Sequence, residues 1–284
     1  MCHAEFISAF HGTLKQVQGD KGAMLYNKVM ISGILLITLV GFITIIAYRR
    51  PKLAEKVFKE VPLIDWLIIL IVPLIIYLGI VMVVEQILAR TKVEYLDYDN
   101  LHLLPLGTLF LIYGFVGNSI HFVSKVLSRY IKPNKKDLVY RVNELFHGKL
   151  SHYITYFCTL VVLFIIMILE INYPLDLKLG SNQEILIIIS GVIFGVSCSK
   201  VIFYTNEWFG GHNKPLFIIV SFMTFITFIL FTSLKLSFLH YPFAYFVAAV
   251  FTSIMLTFIF RQFLIFSKLG GKRRLKFLVR LLHI

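Results

Sequence analysis

Acidic residues are scarce in this chain. Fifteen Asp and Glu stand against 28 Lys and Arg, and charged residues of both signs make up only 15% of the 284 positions. So little charge, beside 58% hydrophobic residues, excludes a disordered chain and exceeds the apolar share of a soluble globular domain. Cysteine is confined to Cys2, Cys158 and Cys198, which rules out a disulfide framework. Cys158 and Cys198 fall inside apolar runs and are expected to pack as small apolar residues. Catalytic signatures are missing too: there is no HExxH, CxxC, GxSxG elbow or P-loop. Segments of alternating polarity are absent, which disfavours an outer-membrane barrel.

What remains is hydrocarbon. Mean hydropathy is +0.82, and the apolar residues come in runs of roughly twenty, the length a helix needs to cross a hydrocarbon core. Seven such runs are read, at 29–48, 63–88, 101–124, 152–171, 184–204, 215–237 and 241–266. Lipid offers no partner to an unpaired backbone group, so each run is expected to be helical. The fold class is all-α, a polytopic bundle of about seven spans. Residues 27–269 form the membrane domain, 1–26 an N-terminal extension and 270–284 a tail.

Orientation follows from basic residues. Arg49, Arg50, Lys52, Lys56 and Lys59 follow span one, and Lys125, Arg129, Lys132, Lys135, Lys136, Arg141 and Lys149 follow span three. The tail adds Lys268, Lys272, Arg273, Arg274, Lys276 and Arg280. Alternate loops carry Glu94, Asp97 and Asp99, then Glu170, Asp176 and Glu184. This positive-inside alternation predicts an outside N-terminus and a cytoplasmic C-terminus. It also accounts for the net charge of +13 without nucleic acid, because basic flanks bind anionic lipid head groups. In the tail, Leu275, Leu278, Leu281 and Leu282 share one helical face, which predicts a basic amphipathic helix on the inner leaflet.

Residues 1–22 differ from everything after them. HAEFISAF followed by LKQVQGDK resembles a translated interspersed repeat of bacterial genomes. The resemblance implies a bacterial source, hence the inner membrane, and a start at Met24 or Met30. It carries no function.

Polar residues gather in 118–152, between spans three and four. Asn118 and His121 share a helical face at i, i+3, and His152 begins the next span at the same depth. Glu144 and His147 lie in the connecting loop, and Glu207 follows span five at the same end. Imidazole and carboxylate suit zinc with an open position for water, so His121, His152, Glu144, His147 and Glu207 are the candidate metal ligands. Such a site at the head-group boundary would face lipid. The span count is similar to that of the ceramidase and adiponectin-receptor group of seven-span zinc hydrolases. Their final-span His-x-x-x-His is missing here, and no family is assigned. A competing expectation concerns 138–146, where Leu138, Val139, Val142, Leu145 and Phe146 make an amphipathic stripe. On that phase Glu144 and His147 occupy the wet face of an interfacial helix. Gly148 would then cap its end, and Ser151 the start of span four.

The functional expectation is a metal-dependent hydrolase or transferase acting on lipid at the cytoplasmic interface. The alternatives are a transporter or channel for a small solute, or a non-catalytic membrane assembly subunit.

Overall fold

A computed structural model describes residues 28–43, 56–58, 61–134, 136–176, 178–204, 214–271 and 273–274. Helix dominates: α1 (Lys28–Ile43), α2 (Leu63–Leu88), α3 (Asn100–Leu127), α4 (Leu138–Ile171), α5 (Ser181–Tyr204), α6 (Lys214–Ser233) and α7 (Pro242–Ser267). All but α1 are long and apolar enough to cross a membrane, and α1 is a shorter apolar helix over its described part. Positions 44–48 of the first expected run lie outside the described residues, as do the extension 1–26 and the tail beyond 274. The described strand is a two-residue antiparallel pair, β1 (Val57–Phe58) with β2 (Val61–Pro62).

The centre of the bundle is α4 with α7. These two helices are the most buried of the long ones, whereas little of α2 and α3 is fully buried. Helix α7 is apolar on all sides; its first half is enclosed by neighbours, while Leu256, Ile259, Phe260 and Phe263 near its end are exposed. Its Phe243, Phe246 and Phe251 are fully buried. Helices approach most closely where they carry no side chain, because without a water-driven force they associate through packing. On α5, a Cβ at Gly191 would sit 2.6 Å from Ala249 Cβ, and one at Gly195 would sit 2.5 Å from the Val250 carbonyl oxygen of α7. Gly33 of α1 and Gly79 of α2 meet reciprocally, each imagined Cβ 2.9 Å from the other's carbonyl oxygen.

One end of the bundle is tied by buried polar groups. Glu170, expected in an exposed loop, is fully buried at the end of α4. Its Oε1 accepts from Arg90 Nη1 at 2.9 Å, and its Oε2 accepts from the Ala244 amide at 2.7 Å. Pro242 opens α7, so Glu170 meets the first free amides of that helix with a negative charge at its positive end. Arg90 also donates to the Tyr173 carbonyl. Beside it, Asn172 accepts from the Tyr95 and Leu96 amides and donates to the Leu96 carbonyl. Tyr98 donates to the Leu169 carbonyl at 2.7 Å; burial pushes its hydroxyl above the ordinary tyrosine range, so it stays a donor.

Helix α2 contains a π-helical segment, Leu67–Ile71, directly before Pro73. There the Val72 amide bonds the Leu67 carbonyl. In that wider register the Ile68 carbonyl would look to residue 73, which is proline and has no N–H. Asn118 of α3 supplies the missing donor, its Nδ2 bonding Ile68 O at 3.1 Å. Asn118→Leu is expected to cost about 1–3 kcal/mol by leaving that carbonyl unpaired. Adding Pro73→Ala, which returns an N–H, should recover much of the loss. Detergent unfolding curves of the single and double variants decide this; equal losses in both would remove the compensation.

Candidate functional site

Two hairpin-related helices carry the site. Asp99 starts α3 by accepting from the Leu101 amide at 2.9 Å, and the helix then runs to His121, Ser124 and Lys125 without a break. Asp137 starts α4 in the same way, accepting from the Val139 amide at 3.0 Å. Helix α4 does not end at Gly148, contrary to the capping expectation. A π-helical segment, Leu145–Leu150, carries it directly into the apolar run. Gly148 takes no left-handed conformation, and Ser151 is in the middle of a helix, its hydroxyl donating to the His147 carbonyl at 2.7 Å. The physical reason is hydrogen bonding: a break here would strand backbone groups that a continuous helix satisfies.

That π segment changes the fate of His147. Of the two expectations for it, the wet face with Glu144 is overturned, and it joins the other two candidate histidines. The His121 ring centroid lies 4.6 Å from that of His147 and 4.7 Å from that of His152, with His147 and His152 at 6.3 Å. His152 Nε2 and His121 Nδ1 are 3.0 Å apart. Such a bond needs one protonated and one bare nitrogen, so the pair shares a proton. The Nδ1 of His152 is buried and has no partner among the described residues.

Glu144 is exposed, as the amphipathic reading expected, and does not join the cluster. It acts on His147 through charge, as do Asp65 and Lys125. Glu207 lies outside the described residues. In this conformation no three His, Cys, Asp or Glu side chains among the described residues are arranged to hold a metal ion.

Sequence reasoning passed over Asp65 and used its partner Lys125 only to orient the chain. Asp65 sits at the start of α2, 3% exposed, and forms an ion pair with Lys125 of α3. Lys125 lies one turn beyond His121, so this pair places both signs of charge beside the imidazoles. The signal was available: Asp65 is an ionisable residue at the edge of an otherwise apolar run, the kind of position that marks function in membrane helices.

His121 and His152 also line a cavity of about 110 Å³ bounded by residues of α1 to α5. Asn118, Thr155, Tyr156 and Ser197 supply further polar groups there. A second, almost wholly apolar cavity of about 70 Å³ adjoins it, sharing Asn118, Thr155 and Phe194. The arrangement is a polar, imidazole-bearing end on an apolar void. No protein-family model, no curated protein and no solved structure matches the chain.

Proposed function

We propose that this protein is a multi-pass membrane enzyme, a hydrolase or transferase acting on a lipid-borne substrate at the cytoplasmic face of a bacterial inner membrane. The observation that carries the reading is the convergence of His121, His147 and His152, brought from two helices to within 4.6–6.3 Å of one another. The basic residues that flank this end, Lys125, Arg129, Lys132, Lys136 and Arg141, support its cytoplasmic placement with the N-terminus outside.

The chemistry follows from the hydrogen bonds. His152 Nδ1 has no partner among the described residues, and its Nε2 is coupled to His121. A proton taken from water or a substrate hydroxyl at Nδ1 is therefore shared with a second imidazole, which is what a general base requires. Asp65 stabilises positive charge that develops on the cluster, while Lys125 opposes a permanently charged state. The apolar cavity beside the histidines suits the hydrocarbon part of a lipid. Three imidazoles are also the ligand type and number of a catalytic zinc site with an open position, so metal dependence enters the test.

The experiment is turnover of phospholipid in mixed micelles by purified protein, read as released fatty acid and released head group. His121→Gln and His152→Gln are expected to lower turnover by about 10²–10⁴-fold while circular dichroism stays unchanged. Wild-type turnover in both variants would overturn the reading, as would no product from the wild type on either readout. Loss on chelation with recovery on added zinc would make the enzyme metal-dependent. Indifference to chelator would assign the chemistry to the imidazoles alone.

A further inference from the structure

On the outer side of the same two helices lies an open groove of about 720 Å³. Val123 and Leu127 of α3 form one wall, and Leu138, Val142 and Phe146 of α4 form the other. These five side chains are 40–69% exposed. This is the predicted amphipathic stripe of 138–146, turned outward with no protein cover among the described residues. One lining residue does not fit a surface that merely meets hydrocarbon. Asn143 is only 6% exposed, lines the groove, and its Nδ2 is buried with no partner among the described residues. A buried amide donor left unpaired costs about 1–3 kcal/mol, so a place that retains one calls for an acceptor.

Charge identifies the acceptor's owner. The turn that joins α3 to α4 and the first turns of α4 carry Arg129, Lys132, Lys136 and Arg141, all exposed. The acids nearby are Asp137, which is engaged as the cap of α4, and Glu144. A ligand must therefore combine an apolar chain, a hydrogen-bond acceptor at its head and negative charge beyond that.

We propose that the groove between the ends of α3 and α4 binds one anionic glycerophospholipid. Its acyl chain lies along the apolar walls, an ester or phosphate oxygen accepts from Asn143 Nδ2, and its phosphate faces Arg129, Lys132, Lys136 and Arg141. The site is independent of the histidine chemistry, although Asn143 stands one turn before His147 on α4. It differs from general lipid contact because one buried amide holds the lipid in place and one basic turn selects its head group.

The test uses the full-length protein, delipidated in detergent and then offered dioleoyl phosphatidylglycerol or dioleoyl phosphatidylcholine, with bound lipid counted by native mass spectrometry. The wild type is expected to bind one phosphatidylglycerol roughly tenfold or more tighter than phosphatidylcholine, given the usual attraction of basic residues for anionic lipid. Replacing the four basic residues by glutamine is expected to erase that preference. Those side chains are exposed, so the fold is kept. Asn143→Leu removes the unpaired donor without changing the volume much, and should weaken phosphatidylglycerol binding about fivefold to tenfold while leaving the lipid-free melting temperature the same or higher. Equal binding of the two lipids by the wild type overturns the proposal. So does undiminished phosphatidylglycerol preference in the glutamine variant, or undiminished phosphatidylglycerol affinity in Asn143→Leu.

Discussion

Arg90→Met is expected to destabilise the protein by about 3–5 kcal/mol, the cost of removing one member of a buried ion pair. Glu170 is fully buried and Arg90 side-chain exposure is 8%, so solvent cannot replace the lost guanidinium. The carboxylate would keep only the Phe243 and Ala244 amides of α7 as donors. Arg90 also joins α2 to the Tyr173 carbonyl after α4, so its loss loosens three elements at once. The double variant Arg90→Met with Glu170→Gln should regain part of the loss, because a neutral amide no longer strands a charge. Unfolding in mixed micelles by added anionic detergent, followed by circular dichroism, measures both. A loss under about 1 kcal/mol for the single variant, the size of a surface pair, would mean that the pair does not bear on stability.

Gly195→Ala should also be clearly destabilising, although it adds only one methyl group. Its Cβ would stand 2.5 Å from a backbone oxygen of α7 and also collide with the Ser253 hydroxyl. A flexible side chain can move aside, but a helix backbone cannot without shifting the whole helix. Overpacking of this kind costs about 1–3 kcal/mol. Gly191→Ala meets Ala249 and the Phe246 carbonyl oxygen at 2.8 Å and adds a similar amount. The two sites lie one turn apart on the same contact, so their effects need not add. The combined variant is expected to lose its single peak in size-exclusion chromatography, or to unfold at clearly lower detergent. Gly148→Ala, where nothing lies within 4 Å, is the control that separates collision from the general loss of a glycine. Equal behaviour of the two would sink the close-packing account.

Some of this was legible before any coordinates. The apolar runs foretold the helices because hydrocarbon thickness sets a length and lipid forbids unpaired backbone. His121 and His152 were placed together correctly, since each lies in a regular helix at a facing end of a hairpin. The wet-face alternative for His147 failed because phase was counted through a uniform helix, whereas Leu145–Leu150 is π-helical and Gly148 does not stop the helix. A single change of register rotates every later side chain, and residue spacing carries no mark of it.

Partner choice was beyond reach for a different reason. Asp65 and Lys125 are 60 positions apart, and Arg90 and Glu170 are 80. Each reads in the sequence as an ordinary residue near the end of a span. Glu170 in particular counted as an outer-loop acid, when it is the buried carboxylate that receives the start of α7. Composition and periodicity act along the chain, so by themselves they determined that this is a bundle of apolar helices with polar residues collected at the turn after α3. Which of those residues meet, which charge is neutralised by which, and where a helix slips register depend on contacts between distant segments. Those were decided only when the helices packed.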